Sequence, residues 1–464
     1  MSGLKLPDGP RTPASIQTFQ WLSDPLGYME DCAQRYGEIF TLRIGPVFSP
    51  QVLISNPQAI QKVFSTDPKQ LDSGEPAGIR SPLLGERSLL ALEGEPHQRQ
   101  RKLLTPPFHG ERMRAYGETI CEITEKVAST FPINQPFSIL SSIQAISFEA
   151  ILKTVFGLEE GERYEKLKQL LIEILNPKQP FITAMMIVFP FLQTDLGSWS
   201  PWGKFLRLRQ QVDQLLYAEI AERRTQLDPS RTDILSLMMA ARDEQGQPMT
   251  DVELRDELIT LLTAGHETTA TALAWALYWI HKLPEVREKL LQELDTLGDN
   301  PDGNTIAKLP YLNAVCSETL RLYPVAMLAL NRLVKSPLEI MGYELEPGTL
   351  VVPCIYLTHH REDLYPDAKQ FKPERFLERQ FSPSEYLPFG GGNRRCIGMA
   401  FALFEMKLVL ATLLTRWEMA LADSNPVQPK RKGALLGPSE GVRMVVTGMR
   451  RENQRIMESS ASLV

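Results

Sequence analysis

The sequence predicts a mainly α-helical protein with small β-sheets. Its longest helical pattern runs from Thr250 to Leu283, a length that would extend about 50 Å as a helix. Thr250 and Glu253 have the spacing of a capping box, and Pro284 marks the end of this helix. Further amphipathic helical patterns fill much of the chain, whereas the β-rich segments are short and are interrupted by glycine and proline. We therefore expect one long central helix surrounded by shorter elements.

Composition and charge exclude several classes of protein. The chain has 464 residues, 43% hydrophobic and 23% charged, which are ordinary values for a large globular protein. Its net charge of -6 argues against a nucleic-acid-binding role. None of the five cysteines forms a Cys-x-x-Cys pair, which argues against a zinc knuckle, and their odd number and wide spacing argue against a disulfide framework. The N-terminus resembles neither a signal peptide nor a transmembrane anchor, so we expect a soluble cytoplasmic protein.

The first hundred residues alternate helices with short strands. Asp24 can cap a helix that Gly37 ends, and a β-hairpin and a second helix follow. The predicted elements are a helix at Asp24–Tyr36, strands at Glu38–Ile44 and Gln51–Ser55, a helix at Asn56–Phe64, a loop at Asp67–Arg87 and a helix at Glu95–Leu104. The last of these carries His97 and Arg101, which share one face because they are four residues apart. That face could be a solvated basic surface or an anion clamp.

The middle of the chain contains two helices and one unusual apolar segment. The helices are predicted at Glu111–Thr130 and Ile143–Val155. The segment Leu175–Lys204 is rich in Phe, Met and Trp but is too short and too interrupted by proline to span a membrane. It could pack in the core, or it could form an apolar gate that contacts hydrophobic substrates or a membrane surface.

The centre of the long helix breaks the rules of helix propensity. Ala264-Gly265-His266-Glu267-Thr268-Thr269 places a glycine and two threonines, all poor helix formers, in the middle of the element. Threonine hydroxyls can also bond back to backbone carbonyls and bend the axis. Because such a violation in a core helix is expected at functional sites, this stretch is a candidate site.

The last third of the chain is predicted to hold two amphipathic helices, short strands, a long aperiodic stretch and a C-terminal helix. The elements are helices at Glu285–Gly298 and Tyr311–Leu322, strands at Asn331–Lys335, Glu339–Ile340 and Thr349–Ile355, the aperiodic stretch Leu357–Pro388, a helix at Ala400–Trp417 and a final hairpin within Gly433–Val446. Glu318 and Arg321 can pair along their helix, and Arg375 of Pro373-Glu374-Arg375-Phe376 lies within possible reach of them.

Three glycines, two arginines and a cysteine precede the C-terminal helix, in the order Phe389-Gly-Gly-Gly-Asn-Arg-Arg-Cys-Ile-Gly398. The helix N-terminus, Arg394 and Arg395 all favour a thiolate at Cys396, which would then be a nucleophile or a metal ligand. A nucleophile needs a base that the sequence does not identify, and a phosphate loop would need a Gly-Lys-Ser/Thr ending that is missing. A haem thiolate fits both the glycines and the arginines, which could pair with propionates.

Four motifs in this order resemble the cytochrome P450 family. Phe389, Gly392, Arg394, Cys396 and Gly398 match its F-x-x-G-x-R-x-C-x-G signature. Its oxygen-activation motif resembles Ala264–Thr269, its E-x-x-R motif resembles Glu318–Arg321, and its P-E-R-F element resembles Pro373–Phe376. Over its whole length the sequence is also similar to the cyanobacterial branch of the family, which is associated with fatty-acid and terpenoid hydroxylation. The resemblance implies the cytochrome P450 fold in one domain over residues 1–464, with a β-rich portion at about 38–64 packing against strands at about 331–355.

The resemblance also implies a role for each motif. Cys396 would be the axial ligand of haem b, iron protoporphyrin IX, with Phe389 beside its sulfur and Gly390 and Gly398 in the same loop. Thr268 and Glu267 would organise proton delivery, and Ala264 and Gly265 would leave room above the haem. The side chains implied to bind the propionates are His97, Arg101, Arg332 and Arg394. Glu318, Arg321 and Arg375 would form a buried structural network. Asp67–Leu92 and Leu175–Lys204 would contact substrate, and the pocket lining would include Val325, Ala326, Met327 and Leu328.

The resulting expectation is a monomeric haem-thiolate monooxygenase acting on a hydrophobic substrate, a fatty acid or a terpenoid, with dioxygen and two electrons. Because the sequence shows no flavin or ferredoxin motif, the electrons would come from a separate ferredoxin and ferredoxin reductase. Two alternatives stay open. One is a peroxide-using or isomerase-type haem-thiolate enzyme, against which the Glu267-Thr268 pair argues, and the other is a haem sensor without turnover.

Overall fold

A computed structural model of the protein describes residues 6–45, 49–73, 83–108, 112–158, 160–175, 192–226, 228, 230–298, 301–433 and 435–450. The predicted fold class is confirmed, because helices dominate and the strands form small sheets. The helices, numbered within the described part of the chain, are α1 (Ala14–Ser23), α2 (Pro25–Tyr36), α3 (Pro57–Ser65), α4 (Gly94–Leu104), α5 (Arg112–Ala128), α6 (Ile139–Thr154), α7 (Glu162–Leu175), α8 (Pro201–Thr225), α9 (Ile234–Ala240), α10 (Asp251–Lys282), α11 (Pro284–Asp295), α12 (Gly303–Ala307), α13 (Pro310–Leu322), α14 (Ile355–His359), α15 (Arg375–Glu378) and α16 (Met399–Arg416).

The strands are short and lie mostly towards the two ends of the chain. They are β1 (Ile39–Arg43), β2 (Pro50–Ile54), β3 (Leu71–Ser73), β4 (Phe137–Ser138), β5 (Arg332–Val334), β6 (Leu338–Ile340), β7 (Tyr343–Leu345), β8 (Leu350–Pro353), β9 (Trp417–Leu421), β10 (Pro429–Lys432), β11 (Leu435–Pro438) and β12 (Arg443–Met449).

The long helix α10 begins at the capping box that the sequence predicts. The Thr250 backbone N–H donates to Glu253 Oε2 at 2.7 Å, and the Glu253 N–H donates to Thr250 Oγ1 at 3.2 Å. These two bonds satisfy backbone donors that a helix N-terminus otherwise leaves unpaired. Two other threonines of α10 bond back to backbone carbonyls: Thr263 Oγ1 donates to the Ile259 carbonyl and Thr271 Oγ1 to the Glu267 carbonyl, both at 2.8 Å.

The chain divides into two compact units. Unit 1 contains residues 1–74, 113–147 and 266–464, and unit 2 contains residues 75–112 and 148–265. Unit 1 therefore holds all of the strands named above, together with the helices at both ends of the chain. Unit 2 holds α4, α7, α8 and α9, and it also holds α10 as far as Gly265.

The largest sheet of unit 1 has the strand order β1-β2-β8-β5-β3. The antiparallel pair β1–β2 is the predicted hairpin, and β2 pairs in parallel with β8 through Val52 opposite Val351. This sheet thus contains strands from both stretches that the sequence predicted to pack together. Its inward side chains form a buried cluster that includes Val52, Ile54 and Val351.

The prediction of strands was wrong or incomplete in several places, and β4, β9 and β10 were not predicted. The stretch predicted as a loop after Asp67 contains β3, and the turn after β6 leads into β7, which was not predicted. The final hairpin was predicted within Gly433–Val446, but β11 pairs with β10, and β12 pairs with β9 and β4 in another sheet. Strands of two to four residues carry too little alternation to reveal their partners, because pairing is decided by tertiary contacts.

None of the helices in the described part of the chain is long and apolar enough to cross a membrane.

Candidate functional site

The cysteine loop of unit 1 is a compact turn that presents Cys396 just ahead of α16. The Cys396 N–H donates to the Phe389 carbonyl at 2.9 Å, which closes the loop on itself. The Gly390 N–H donates to the Leu387 carbonyl at 2.9 Å, and Gly390 has a φ of +65°, which favours glycine. Gly398 is the N-cap residue of α16, so Cys396 lies beside the positive end of that helix dipole.

Cys396 differs in its surroundings from the other cysteines. Cys396 is exposed, whereas Cys32, Cys316 and Cys354 are buried. Burial raises the pKa of the Cys316 and Cys354 thiols to about 12, so both stay protonated at neutral pH. Among the five cysteines, Cys396 is therefore the one placed to bind a ligand from outside the protein core.

Two of the three consecutive glycines serve packing against α3 rather than an approach to a ligand. A Cβ atom at Gly391 would lie 2.2 Å from the Phe64 ring, and one at Gly392 would lie 2.9 Å from the Phe64 carbonyl oxygen. This corrects the interpretation that all of these glycines make room for a flat ring. A Cβ atom at Gly398 would meet no described atom within 4 Å, so the space on that side of the loop is open.

Arg332 and Arg394 form a positively charged group next to the cysteine loop. Arg332 is buried at the start of β5, and its guanidinium donates to the carbonyls of Leu330 at 2.7 Å and Gly391 at 3.1 Å. Burial, with the nearby charge of Arg394, lowers the pKa of Arg332 to about 10. Because the two positive charges are close enough to affect each other, a carboxylate bound near both would be stabilised.

The segment that was predicted to line the pocket is irregular, with one isolated bridge from Ala326 to Leu435, and two of its carbonyls accept hydrogen bonds from other parts of unit 1. The Leu436 N–H donates to the Val325 carbonyl at 2.8 Å, and the Tyr356 N–H donates to the Met327 carbonyl at 3.0 Å. Val325 and Met327 are buried, Met327 within a hydrophobic cluster of unit 1, whereas Ala326 and Leu328 are half-buried. Ala326 and Leu328 also pack against hydrophobic clusters of unit 1, so the small part of this segment that stays accessible is apolar and carries no charge.

The candidate oxygen-activation motif lies on α10 without an interruption of the helix. Thr268 is half-buried and Glu267 is exposed, so both have groups accessible from outside the core of unit 1. The adjoining turns are buried, from Thr269 through Trp275. Glu267 and Thr268 are therefore two neighbouring polar residues beside a buried part of the helix, and their role in proton delivery stays a prediction.

Unit 2 contains the other candidate site residues. His97 is buried and Arg101 is half-buried on α4, and Ala264 is exposed on α10. Gly265 has a packing role, because a Cβ atom there would lie 2.9 Å from Ile151 Cδ1 of α6. The prediction that Gly265 leaves room for substrate therefore needs correction: this glycine lets α6 approach α10 closely.

Polar residues at the start of α10 hold the segment 83–92, which the sequence did not predict. Asp256 Oδ2 accepts the Arg87 N–H at 2.9 Å, and Glu257 Oε1 accepts the Leu89 N–H at 2.7 Å and Gln100 Nε2 at 3.1 Å. Burial raises the pKa of Glu257 to about 8. Both donors converge on Oε1 of this carboxyl group. The sequence signal for this arrangement was the adjacent acidic pair Asp256 and Glu257 in a buried part of α10.

The E-x-x-R residues come together in the core of unit 1. Arg321 donates to both carboxylate oxygens of Glu318, at 2.7 and 2.8 Å, and Arg375 Nε donates to Glu318 Oε1 at 3.2 Å. Glu318 and Arg321 are completely buried, and the remaining Arg321 N–H groups donate to the carbonyls of His359 and Ala368 at 2.8 Å and of Gln370 at 3.1 Å. A buried ion pair in which the hydrogen-bonding groups are used in this way is costly to break from one side.

The two segments expected to contact substrate lie partly outside the described residues. Of Asp67–Leu92, residues 74–82 are not described, and of Leu175–Lys204, residues 176–191 are not described. In the described remainder of the second segment, Trp199 is 79% exposed. Trp202 stacks on Phe205 with ring centroids 5.2 Å apart. The choice between a packed segment and an apolar gate stays open.

The residues of the cysteine loop fit a haem in chemical type. Cys396 would supply a sulfur ligand at a helix N-terminus, and Arg332 and Arg394 would be cations for the two carboxylates that haem carries. Gly398 leaves the adjacent space free of side-chain atoms.

Comparison with known proteins identifies the same family. The family model "Cytochrome P450" matches residues 7–445. The chain is 38% identical over 451 residues to cytochrome P450 135B1 of Mycobacterium tuberculosis, covering 97% of this chain and 93% of the relative. It is 33% identical over 448 residues to cytochrome P450 135A1 of the same species, covering 96% of each.

A solved structure agrees with the sequence relatives. The structure of "Retinoic acid bound cyanobacterial CYP120A1" superposes with a TM-score of 0.80 and 26% identity, covering 96% of this chain and all of that chain. Family and structure together imply haem b as the cofactor and monooxygenation, a reaction that uses dioxygen, a small-molecule substrate and redox partners. The chain belongs to the cytochrome P450 family and is a haem-thiolate monooxygenase.

Proposed function

We propose that this monooxygenase hydroxylates a hydrophobic substrate of the fatty-acid or terpenoid class, with electrons from a ferredoxin and a ferredoxin reductase. The observation that carries the substrate class is the uncharged segment at Val325–Leu328, with Ala326 and Leu328 incompletely buried. The similar cyanobacterial structure has retinoic acid bound. Retinoic acid is an apolar terpenoid acid, which supports the same substrate class.

The proposed roles of the site residues follow from their positions in unit 1. When bound, haem supplies the redox chemistry that activates dioxygen. Cys396 would hold the iron through its thiolate, and Arg332 and Arg394 would bind the carboxylates. Thr268 would hold a proton at Oγ1 and pass it towards the reaction, and Glu267 would resupply that proton from solvent. The roles that the resemblance gives to His97, Arg101 and Ala264 stay predictions.

A ferredoxin is the proposed electron donor because a cationic side chain lies next to the ligand. Arg395 is exposed in the cysteine loop, adjacent in sequence to Cys396. Ferredoxins carry acidic surfaces, and opposite charges accelerate the encounter of redox partners. A peroxide-driven reaction would need no such partner, so the electron source distinguishes this proposal from the peroxide-using alternative.

Spin-state titration tests the substrate class. Adding a long-chain fatty acid or retinoic acid to the purified ferric protein should displace water from the iron and shift the Soret band towards the high-spin form. A short dicarboxylic acid, as a polar control, should leave the band unchanged. With ferredoxin, its reductase and NADPH, the compound that gives the shift should yield a product one oxygen atom heavier by mass spectrometry.

Two variants connect this result to the apolar segment. Ala326→Phe should weaken binding of the long substrate by about ten-fold, since a bulky ring on this surface displaces part of the ligand. Val252→Phe, at an exposed position 49% accessible in the first turn of α10, is the control and should bind normally. Absence of any shift and any oxygenated product with apolar acids and terpenoids would contradict the substrate proposal, although the family assignment would stand.

A further inference from the structure

His359 makes two hydrogen bonds that determine its protonation state. It is the last residue of α14 and is completely buried. Its Nε2 accepts the Leu387 backbone N–H at 2.9 Å, and its Nδ1 lies 3.2 Å from the Arg321 carbonyl oxygen. A backbone N–H can only donate, so Nε2 must be unprotonated, and Nδ1 carries the proton that is donated to Arg321. The ring is therefore a neutral imidazole with one defined tautomer.

The surroundings maintain that neutral form. Burial, together with the positive charge of Arg321, holds the pKa of His359 well below its ordinary value. The Tyr386 ring stacks on the imidazole with centroids 5.4 Å apart and an interplanar angle of 21°. The Tyr386 hydroxyl in turn donates to the Ser317 carbonyl at 3.0 Å, which fixes the stacked ring on α13. The imidazole is thus held in both position and orientation.

His359 connects the E-x-x-R network to the beginning of the cysteine loop. On one side, Arg321 Nη1 donates to the His359 carbonyl while the His359 ring bonds the Arg321 carbonyl. On the other side, Leu387 accepts the Gly390 N–H, and Phe389 accepts the Cys396 N–H, both at 2.9 Å. Hydrogen bonds and short stretches of backbone together therefore connect the helix that carries the buried ion pair, through one side-chain ring, to the residues that surround the sulfur.

We propose that His359 is a positioning residue for the Cys396 loop, and that its Nε2 fixes the Leu387 N–H and with it the backbone geometry around the thiolate. Hydrogen bonds and backbone geometry near a ligating sulfur tune its electron donation and its redox potential. The inference goes beyond the substrate proposed above and does not depend on it. It concerns a residue outside all four motifs that identify the family.

Two conservative substitutions separate positioning from space filling. Gln reaches about as far as Nε2 and can still accept the Leu387 N–H, whereas Asn reaches only as far as Nδ1 and cannot. In His359→Asn we expect the Leu387 amide to exchange with deuterium about ten-fold faster, because a buried donor loses its acceptor. We also expect a shifted reduction potential and a smaller thiolate-ligated fraction in the carbon monoxide complex. His359→Gln should restore all three values towards wild type.

His360 provides a matched control. It is the adjacent histidine, and its Nδ1 lies 2.8 Å from the Tyr356 carbonyl, with no bond to the cysteine loop. His360→Asn should therefore leave the Leu387 exchange rate, the potential and the spectrum unchanged. Equal effects of Asn and Gln at position 359, or no effect of either, would overturn the proposal. If His359→Asn does not fold, a folded His359→Gln decides: wild-type spectrum and exchange support the proposal, and loss of either overturns it.

Discussion

Replacing Thr268 with alanine is expected to lower the yield of hydroxylated product per NADPH consumed by about 100-fold, within the range that positioned proton-transfer groups contribute. The substitution removes the hydroxyl that we propose to hold a proton, and it leaves α10 intact because alanine is the best helix former. Reductant should still be consumed, so the reaction becomes uncoupled. Product is measured by mass spectrometry and NADPH by absorbance, with the substrate found by spin-state titration.

Thr263→Ala is the control for this prediction. Thr263 is another half-buried threonine of α10, and its hydroxyl is already used in a bond to the Ile259 carbonyl at 2.8 Å. Its removal should leave the yield per NADPH near that of wild type. Retention of full yield in Thr268→Ala would remove the proposed proton route and favour the peroxide-using or isomerase-type alternative.

Arg321→Met is expected to reduce the free energy of unfolding by about 3–5 kcal/mol, because Glu318 then stays buried without its main partner. A loss of this size is a large part of the roughly 5–15 kcal/mol that stabilises a typical domain. The variant should therefore still fold, but with a markedly lower free energy of unfolding and a lower haem content than the wild type. Denaturant unfolding followed by circular dichroism, with haem content measured in parallel, gives the value.

An exposed ion pair supplies the comparison for Arg321. Lys289 bonds Glu374 at 2.7 Å, with the lysine side chain 54% exposed, and such surface pairs contribute about 0–1 kcal/mol. The free energy of unfolding of Lys289→Met should therefore lie within about 1 kcal/mol of the wild-type value. If Arg321→Met were equally stable, the Glu318 network would have no structural importance.

Local sequence signals predicted the features that depend on neighbouring residues. The capping box of α10 and the Asp24 cap of α2 were found because their partners lie three residues apart, and Asp24 indeed accepts the Gly27 N–H at 3.1 Å. The four motifs were recognisable for the same reason. A helix boundary or a loop with a fixed spacing is determined by residues that lie close together in the sequence. Tertiary contacts change such features little.

Features that depend on distant residues were missed. The packing of Phe64 on Gly391 and the bond between His359 and Leu387 join positions that the sequence gives no reason to pair. The three-residue strand β3 is defined by its partner β5, hundreds of residues away. Two consecutive histidines in the aperiodic stretch were the available sign of His359, but that pattern alone does not show which ring is buried.

The carbon monoxide difference spectrum of the reduced protein tests the central claim, that Cys396 holds the haem iron through a thiolate. We predict the long-wavelength Soret band typical of thiolate ligation, and its loss in Cys396→Ser protein that still binds haem. A shorter-wavelength band typical of histidine ligation in freshly purified, folded wild-type protein would contradict the assignment of Cys396 as the axial ligand.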